Sequence, residues 1–273
     1  MKSLIIFLIL PFFGSCNNSN QAKEASLANF FPNTQNVDEI KDSLFKNKFN
    51  KNLDISDIKQ KKFQDKIDSV VAIGFKSGDF KSIEEKLNLE SIKDTKLDKN
   101  YWKSYLLYQA SIMYIQKKDT KKSEDCIVKA IQLLSKAKSS EDYALLAACK
   151  SFSIQFANMM TVASVSQEVQ DNAKKSLQLN SKNLRAYEVL CSNNFYTPTM
   201  FGGMKKVEEY ALKGLACPIT MEEDNYYAPR WGKELLYGYM IQYLEKQDNK
   251  KAEVDKYKAL FNLEFPDEKK ENK

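Results

Sequence analysis

The chain of 273 residues is 43% hydrophobic and 29% charged, with a net charge of +6. This globular composition excludes a chain disordered throughout, and the mean hydropathy of −0.52 excludes a polytopic membrane protein. Because the chain has no histidine, Ser-His-Asp and Cys-His catalytic sites and histidine-containing zinc sites are excluded as well.

The segment 1–16 has the order of a secretory signal. Lys2 precedes an apolar run from position 4 to 13, which is too short to span a bilayer as a helix. The ending Gly14-Ser15-Cys16 resembles the lipobox of bacterial lipoprotein signals, although Phe13 stands where the lipobox usually has leucine. The alternatives are an ordinary secretory signal cut elsewhere and an uncleaved apolar anchor.

The resemblance to lipoproteins implies that residues 1–15 are removed and that Cys16 becomes the lipidated first residue of the mature chain. Asn17 after this cysteine resembles sorting to the outer membrane of a Gram-negative cell. We therefore expect a lipid-anchored protein on the periplasmic face of the outer membrane. The polar stretch 16–57 is interpreted as a tether with one short helix from Val37 to Phe49.

From position 58 onward the pattern is helical. The stretch from Asp79 to Thr197 contains neither glycine nor proline, which is typical of long helices joined by polar turns. The polar residues Lys117-Lys118-Asp119-Thr120 form one such turn. Asp119 or Thr120 could cap the helix that follows. A unit of about 34 residues that starts at Ser104 has the apolar spacing of a tetratricopeptide repeat (TPR). Its matching positions are Leu107, Ala110, Ser111, Tyr114, Ser123, Ile127 and Ala130.

Further units follow at similar spacing. A second unit set from Lys150 assigns Phe156, Ala157 and Met160 to its first helix and Val169, Ala173 and Ser176 to its second. A third unit starts at Leu184, with Tyr187, Leu190 and Cys191 in its first helix and Val207, Ala211 and Gly214 in its second. The last unit runs from Trp231 through Tyr243, Ala252 and Ala259 to Pro266, and positions 63–89 form a degenerate first pair.

Together these units resemble TPR proteins. The resemblance implies an all-α fold, a TPR-like right-handed solenoid of about five antiparallel helical hairpins over 58–267, followed by a charged tail at 268–273. The alternative is a non-repetitive helical bundle, because any amphipathic hairpin shows the same apolar spacing.

One loop interrupts the helical pattern between Tyr196 and Gly203. Pro198 forbids helix continuation and Gly202-Gly203 permits a positive φ, so we expect a shaped loop against which Tyr196 and Phe201 pack. The sequence Tyr-x-Pro-x-x-Phe-Gly-Gly resembles an insert of a group of poorly characterised bacterial TPR-like lipoproteins. That group also has Asn-Leu-Arg-Ala-Tyr before the insert and Pro-x-Trp-Gly after it, as this chain does at 183–187 and 229–232.

This resemblance implies a family without an established activity. Tyr196, Pro198, Phe201, Gly202 and Gly203 are candidate contact residues, and the alternative is a loop that only restarts the helix. Phosphate binding by the glycines is not indicated, because no strand precedes them and the Gly-x-x-x-x-Gly-Lys-Ser/Thr frame is missing. A weaker likeness to TPR-type accessory lipoproteins implies a role in periplasmic solute uptake.

Aromatic residues crowd two predicted helical regions. Tyr101, Trp102, Tyr105 and Tyr108 share the first, and the second holds Tyr226, Tyr227, Trp231, Tyr237, Tyr239 and Tyr243. Since the first helices of a solenoid line its concave face, Tyr226, Tyr227 and Trp231 are candidates for a groove that takes a peptide or an apolar solute. Core packing is the alternative interpretation for each.

Four cysteines follow Cys16 in the sequence: Cys126, Cys149, Cys191 and Cys217. None belongs to a Cys-x-x-Cys pair, so neither a zinc site nor a thioredoxin-like site is indicated. Disulfides are possible in an oxidising compartment, with Cys126 and Cys149 on consecutive helices. Because each cysteine has apolar helical neighbours, we predict buried thiols.

Lysines alternate with acidic residues along the helices, which is typical of solvated helix faces and argues against nucleic acid as a partner. No cofactor or metal site is indicated. The sequence thus favours a non-enzymatic, membrane-anchored scaffold or adaptor that binds an unidentified envelope protein or peptide. The alternative is a solute-binding accessory lipoprotein of a transport system, and an enzyme using paired carboxylates has only scattered acidic residues in its favour.

Overall fold

The computed structural model describes residues 62–79, 88–158 and 160–265, which hold α-helices and short 3-10 turns and no strand. The all-α prediction is confirmed for these residues. The helices are α1 (Phe63–Ser77), α2 (Lys99–Gln116), α3 (Thr120–Leu133), α4 (Ser140–Ser153), α5 (Val162–Leu179), α6 (Leu184–Tyr196), α7 (Val207–Ala216), α8 (Lys233–Glu245) and α9 (Lys251–Glu264).

Several predictions lie outside the described residues. These are the signal 1–15, the lipidated Cys16, the tether 16–57 with its short helix, most of the second helix of the first pair, Pro266 and the tail 268–273. Within the described ranges, no helix combines the length and apolarity that a membrane span needs.

Consecutive helices pack in pairs: α2 with α3, α4 with α5, α6 with α7, and α8 with α9. Each pair also packs on the next through α3 with α4, α5 with α6, and α7 with α8. The first helices of the pairs contact one another as well, because α4 packs against α2 and α6, and α6 packs against α8. Helix α1 packs against α2 at the amino-terminal end of this arrangement.

Polar caps fix where several helices begin. The side chain of Asp119 accepts a hydrogen bond from the Lys122 amide at 3.1 Å, so Asp119, and not Thr120, caps α3. Ser139 and Asp142 form a capping box at the start of α4. Asn183 caps α6 by accepting hydrogen bonds from two amides of the first turn.

Most of the apolar and small residues predicted for the unit starting at Ser104 are buried, whereas Leu107 and Tyr114 are half-buried. Ala110 and Ser111 of α2 are buried against Ser123, Ile127 and Ala130 of α3. Ser111 and Ser123 also join the two helices by hydrogen bonds, because each hydroxyl donates to the other residue's carbonyl at 2.7 Å. A second reciprocal serine pair, Ser140 with Ser176, joins α4 to α5 in the same way.

The predicted first helix of the second unit is wrong. Helix α4 begins at Ser140, ahead of the predicted Lys150, because the capping box starts it there. Phe156 lies in a 3-10 turn, Ala157 follows that turn, and Met160 is 91% exposed in the connection to α5. The predicted second helix is confirmed, since Val169, Ala173 and Ser176 are buried in α5.

The residues predicted for the third unit are buried in α6 and α7. In the last pair the helices are confirmed but the register of α9 is wrong. Ala252 and Ala259 are exposed, and the core side chains of α9 are Val254, Tyr257 and Leu260. These larger side chains occupy the buried face of α9 because their burial removes more apolar surface from water than burial of the alanines would.

Two apolar clusters form the core and meet at α4. Helices α1 to α4 enclose the first cluster, and α4 to α9 enclose the second. Tyr108 of α2 and Trp231, which precedes α8, pack against both clusters. The four cysteines of the described chain are thiols, with Cys149, Cys191 and Cys217 buried as predicted and Cys126 only half-buried.

Candidate functional site

The loop between α6 and α7 has a defined shape. Pro198 precedes a 3-10 turn, Thr199–Phe201, and Gly202 follows in the left-handed region with a φ of 88°. A Cβ on Gly203 would lie 1.7 Å from the carbonyl oxygen of Thr197, a distance that no side chain can adopt. The predicted need for both glycines is therefore explained by a positive φ at one and a close backbone approach at the other.

Asn194 holds the base of this loop, and the sequence interpretation missed it. Its amide nitrogen donates to the carbonyl of Gly202 at 3.3 Å, and its side-chain oxygen accepts from the Lys206 amide at 2.8 Å. Its backbone carbonyl accepts from the Met204 amide at 2.9 Å. These three bonds tie the start of the loop to its end, and no local sequence pattern indicates them.

The loop exposes apolar side chains at its tip. Met200 is 73% exposed and Phe201 is 50% exposed, so the expectation that Phe201 packs into the helices is wrong. The 3-10 turn carries both side chains away from the core, because it is closed by its own backbone hydrogen bonds. Tyr196 behaves as expected, since its ring lies 5.2 Å from that of Phe195 and 6.0 Å from that of Tyr239.

The aromatic candidates Tyr226, Tyr227 and Trp231 lie in the connection 217–232, which we term the return segment. It runs from the end of α7 back to α1 and α2 before α8 begins. The Phe63 amide donates to the Tyr226 carbonyl at 3.1 Å, and the indole of Trp102 donates to the Tyr227 carbonyl at 3.2 Å. The return segment therefore covers the aromatic residues at the start of α2.

Ring contacts extend this cover. Phe63 lies 5.1 Å from Tyr227, and Trp231 lies 5.7 Å from Tyr105. The Trp231 indole donates to the hydroxyl of Tyr101 at 2.7 Å. Tyr227 and Trp231 are thus packing residues, whereas Tyr226 is 42% exposed. The structure does not bring these three residues into contact with the loop of Tyr196 and Phe201.

Arg185 of α6 joins that helix to both α4 and the return segment. Arg185 of α6 binds both carboxylate oxygens of Glu141 of α4, at 2.5 and 2.6 Å. The same guanidinium donates to the carbonyls of Ile219 and Trp231 at 2.9 and 3.4 Å. The Arg185 side chain is only 2% exposed and that of Glu141 is 25% exposed, so the guanidinium is buried while its partner carboxylate keeps some contact with solvent.

Glu188, one turn beyond Arg185 on α6, is a second buried charged residue that the sequence interpretation missed. It is 5% exposed, and among the described residues its carboxyl makes no hydrogen bond and no ion pair. Burial raises the pKa of the Glu188 carboxyl to about 8. The sequence signal was available, since Glu188 is the only charged residue in the run 186–191.

The charge of Glu188 influences three tyrosines, which lie on α2, α6 and α8. Burial raises the pKa of Tyr108 of α2 and of Tyr239 of α8, and the nearby Glu188 raises each further. The pKa of Tyr196 of α6 is raised by burial and by Glu188 as well. A Cβ placed on Gly232 would lie 3.7 Å from that of Glu188, so the end of the return segment packs close to the base of the Glu188 side chain.

The described residues contain no grouping of cysteine, aspartate and glutamate side chains that could hold a metal ion. Comparison with protein-family models, with curated proteins and with solved structures finds no significant match to this chain. Function is therefore argued from two features of the structure, the loop that exposes Met200 and Phe201 and the cluster around Glu188.

Proposed function

We propose that the chain is a non-enzymatic scaffold or adaptor lipoprotein of the bacterial cell envelope, built as a TPR-like right-handed solenoid. Pairwise packing of consecutive helices and contacts between the first helices of successive pairs support the repeat architecture. The lipobox-like ending at Cys16 supports a lipid anchor in the outer membrane, with the helical domain in the periplasm.

The observation that carries the adaptor proposal is the loop from Pro198 to Gly203. Binding residues are often found on loops that a rigid scaffold positions, and apolar side chains at the centre of an interface contribute most to affinity. Met200 is 73% exposed and Phe201 is 50% exposed, yet Asn194 holds the backbone of their loop in place. Such a loop presents apolar groups to a partner at little cost in ordering.

The aromatic residues of α2 are covered by the return segment, which also favours the loop as the partner contact. Tyr101, Trp102 and Tyr105 are all less than 5% exposed beneath the return segment. A groove lined by these first-helix aromatics is filled by the chain itself. We therefore assign partner contact to the loop and not to the aromatic groove.

Co-purification of the tagged, full-length chain from its native cells tests the adaptor proposal. The variant M200S/F201S removes both exposed apolar groups, and Val128→Ser on α3 removes a control side chain that is 44% exposed. We expect one envelope protein to co-purify with the wild type and with Val128→Ser, and its yield to fall at least about tenfold with the loop variant. An unchanged yield with the loop variant, at equal thermal stability, contradicts the proposal.

A solute-binding accessory role is the second candidate, and a different observation favours it. Glu188 is a buried acidic group among tyrosines, without a partner in the described chain. Ligand sites typically combine aromatic walls with a few polar groups of this kind. Equilibrium dialysis of the chain against envelope extracts, with mass spectrometry of retained solutes, tests this role, and the absence of any retained solute contradicts it.

A further inference from the structure

The first helices of the four pairs begin at one edge of the described structure. Arg185 in the first turn of α6 binds Glu141 in the first turn of α4. A Cβ on Gly232, which precedes α8, would lie 3.4 Å from the γ-carbon of Arg185. Trp231 donates to the hydroxyl of Tyr101 in the first turn of α2 at 2.7 Å. Helices α2, α4, α6 and α8 therefore run parallel from a common edge.

The far ends of these helices share the opposite edge. The ammonium of Lys246, directly after α8, lies 4.4 Å from the centre of the Phe195 ring near the end of α6. The ring of Phe152 near the end of α4 lies 5.9 Å from that of Tyr108 in α2. The connections inside the four pairs, 117–119, 154–161, 197–206 and 246–250, thus lie at this edge. We term it the turn edge.

The turn edge exposes apolar side chains on its two middle connections. Met160, between α4 and α5, is 91% exposed, and Met200, between α6 and α7, is 73% exposed. These are the two most exposed of the large apolar side chains among the described residues. Helices α4 and α6 have 14 and 13 residues, and the axes of packed helices lie about 8–10 Å apart. Met160 therefore lies on the connection next to the loop of Met200 and Phe201.

Lysines flank this apolar surface. Lys205-Lys206 follow the loop directly, and Lys117-Lys118 and Lys246 lie on the two outer connections. The four connections of the turn edge hold six lysines and only two acidic residues, Asp119 and Asp248. The connections at the opposite edge, 134–139, 180–183 and 217–232, hold four basic and three acidic residues. The turn edge thus combines an apolar centre with a positive rim, which suits a partner with acidic groups around an apolar contact.

The described chain begins at the edge opposite the turn edge. The Phe63 amide donates to the carbonyl of Tyr226 in the return segment at 3.1 Å, and the Lys62 ammonium donates to the carbonyl of Glu223 at 3.2 Å. The lipid anchor of the proposed function is attached through the residues before Lys62. The turn edge therefore lies on the side of the domain away from this attachment, which favours a protein partner over the membrane surface.

We propose that Met160, Met200 and Phe201 form one docking surface for an envelope protein that presents an apolar contact flanked by acidic residues. Methionine side chains adapt their shape to such a contact, and Lys205-Lys206 pair with the acidic flank. The proposal rests on the adaptor function. It adds a second connection to the contact surface and assigns a charge to the partner.

Site-specific photo-crosslinking in intact native cells tests the extent of this surface. A photoreactive phenylalanine analogue is placed in the full-length chain at position 160, at position 201 or, as control, at position 128, where the valine is 44% exposed on α3. We expect positions 160 and 201 to crosslink the same envelope protein and position 128 to crosslink none. Mass spectrometry of the crosslinked peptides is expected to map both products to one region of that protein, in which acidic residues outnumber basic ones.

Charge reversal tests the positive rim. With the analogue at position 160, K205E/K206E is expected to lower the crosslinking yield at least about fivefold. A second rim variant, K117E/K118E, is expected to lower the yield in the same direction. The matched control K136E/K138E reverses two exposed lysines between α3 and α4, at the opposite edge, and is expected to keep the yield. Thermal unfolding followed by circular dichroism checks that the variants compared are equally stable.

The outcomes separate this proposal from the adaptor function. Different proteins from positions 160 and 201, or a protein from position 201 alone, overturns the shared surface and leaves the adaptor function in place. A yield that neither rim variant lowers overturns the acidic partner and likewise leaves that function in place. Products that contain only phospholipid, or no protein product from position 201, overturn both.

Discussion

Replacing Glu188 by glutamine is expected to stabilise the protein in a way that depends on pH. A free glutamate has a pKa of 4.5, whereas the buried Glu188 has a pKa of about 8. Between these values the unfolded chain releases the proton and the folded chain keeps it. The free energy of unfolding of the wild type therefore falls as the pH rises from 4.5 to 8 and changes no further above 8.

The magnitude follows from the pKa difference. Each pH unit within this window costs about 1.4 kcal/mol, so at pH 7 the ionisable side chain costs the folded state about 3 kcal/mol. Glutamine has nearly the same shape and cannot ionise. We expect Glu188→Gln to exceed the wild type in the free energy of unfolding by about 3 kcal/mol at pH 7, and by under about 1 kcal/mol at pH 5.

Urea unfolding followed by circular dichroism at pH 5, 6, 7 and 8 measures this difference, because both proteins share the same helical signal. Glu124→Gln is the control for removing a carboxylate from the surface, and its difference from the wild type is expected to stay within about 0.5 kcal/mol at every pH. A Glu188→Gln variant that is less stable than the wild type at pH 7, or a difference that does not grow with pH, refutes the reasoning.

Three further perturbations test other parts of the structure. Gly203→Ala places a Cβ against the Thr197 carbonyl and is expected to lower the free energy of unfolding by about 2 kcal/mol, measured by thermal unfolding. Gly238→Ala, with open space around its Cβ, is the control and should raise it by about 0.5 kcal/mol. Equal effects of the two variants contradict the loop geometry. Glu141→Gln leaves Arg185 buried without its partner and is expected to cost about 3 kcal/mol in urea unfolding, so a loss under 1 kcal/mol contradicts its role. Burial raises the pKa of the Cys217 thiol to about 11, and the other two buried thiols are also raised. A maleimide at pH 7 should therefore modify these three thiols only after the protein unfolds. Mass spectrometry counts the attached labels, and labelling of all three thiols in the native protein contradicts the packing.

The sequence predicts elements well where packing is local. The spacing of small residues in α2 and α3 indicated a close helix pair, and the structure shows Ser111 and Ser123 buried between them. Pro198 and the two glycines after it predicted a shaped loop, since their backbone preferences are intrinsic. The repeat spacing predicts a start of α4 that is too late, whereas the capping box of Ser139 with Asp142, which is visible in the sequence, marks the observed start.

The remaining features depend on contacts between distant positions. Phe63 and Tyr226 are hydrogen-bonded, yet nothing near either residue in sequence indicates the other. The pairing of Glu141 with Arg185 has the same origin. Glu188 is different, because a lone acid in an apolar helical run is visible in the sequence, and only the fold shows that it is buried.

Site-specific photo-crosslinking in intact native cells tests the adaptor role most directly. A photoreactive phenylalanine analogue replaces Phe201 in the full-length chain, and in a second strain it replaces the exposed Val128 as control. The account predicts a single crosslinked envelope protein from position 201 and none from position 128. Crosslinks only to lipid, the same products from both positions, or no product from position 201 would contradict it.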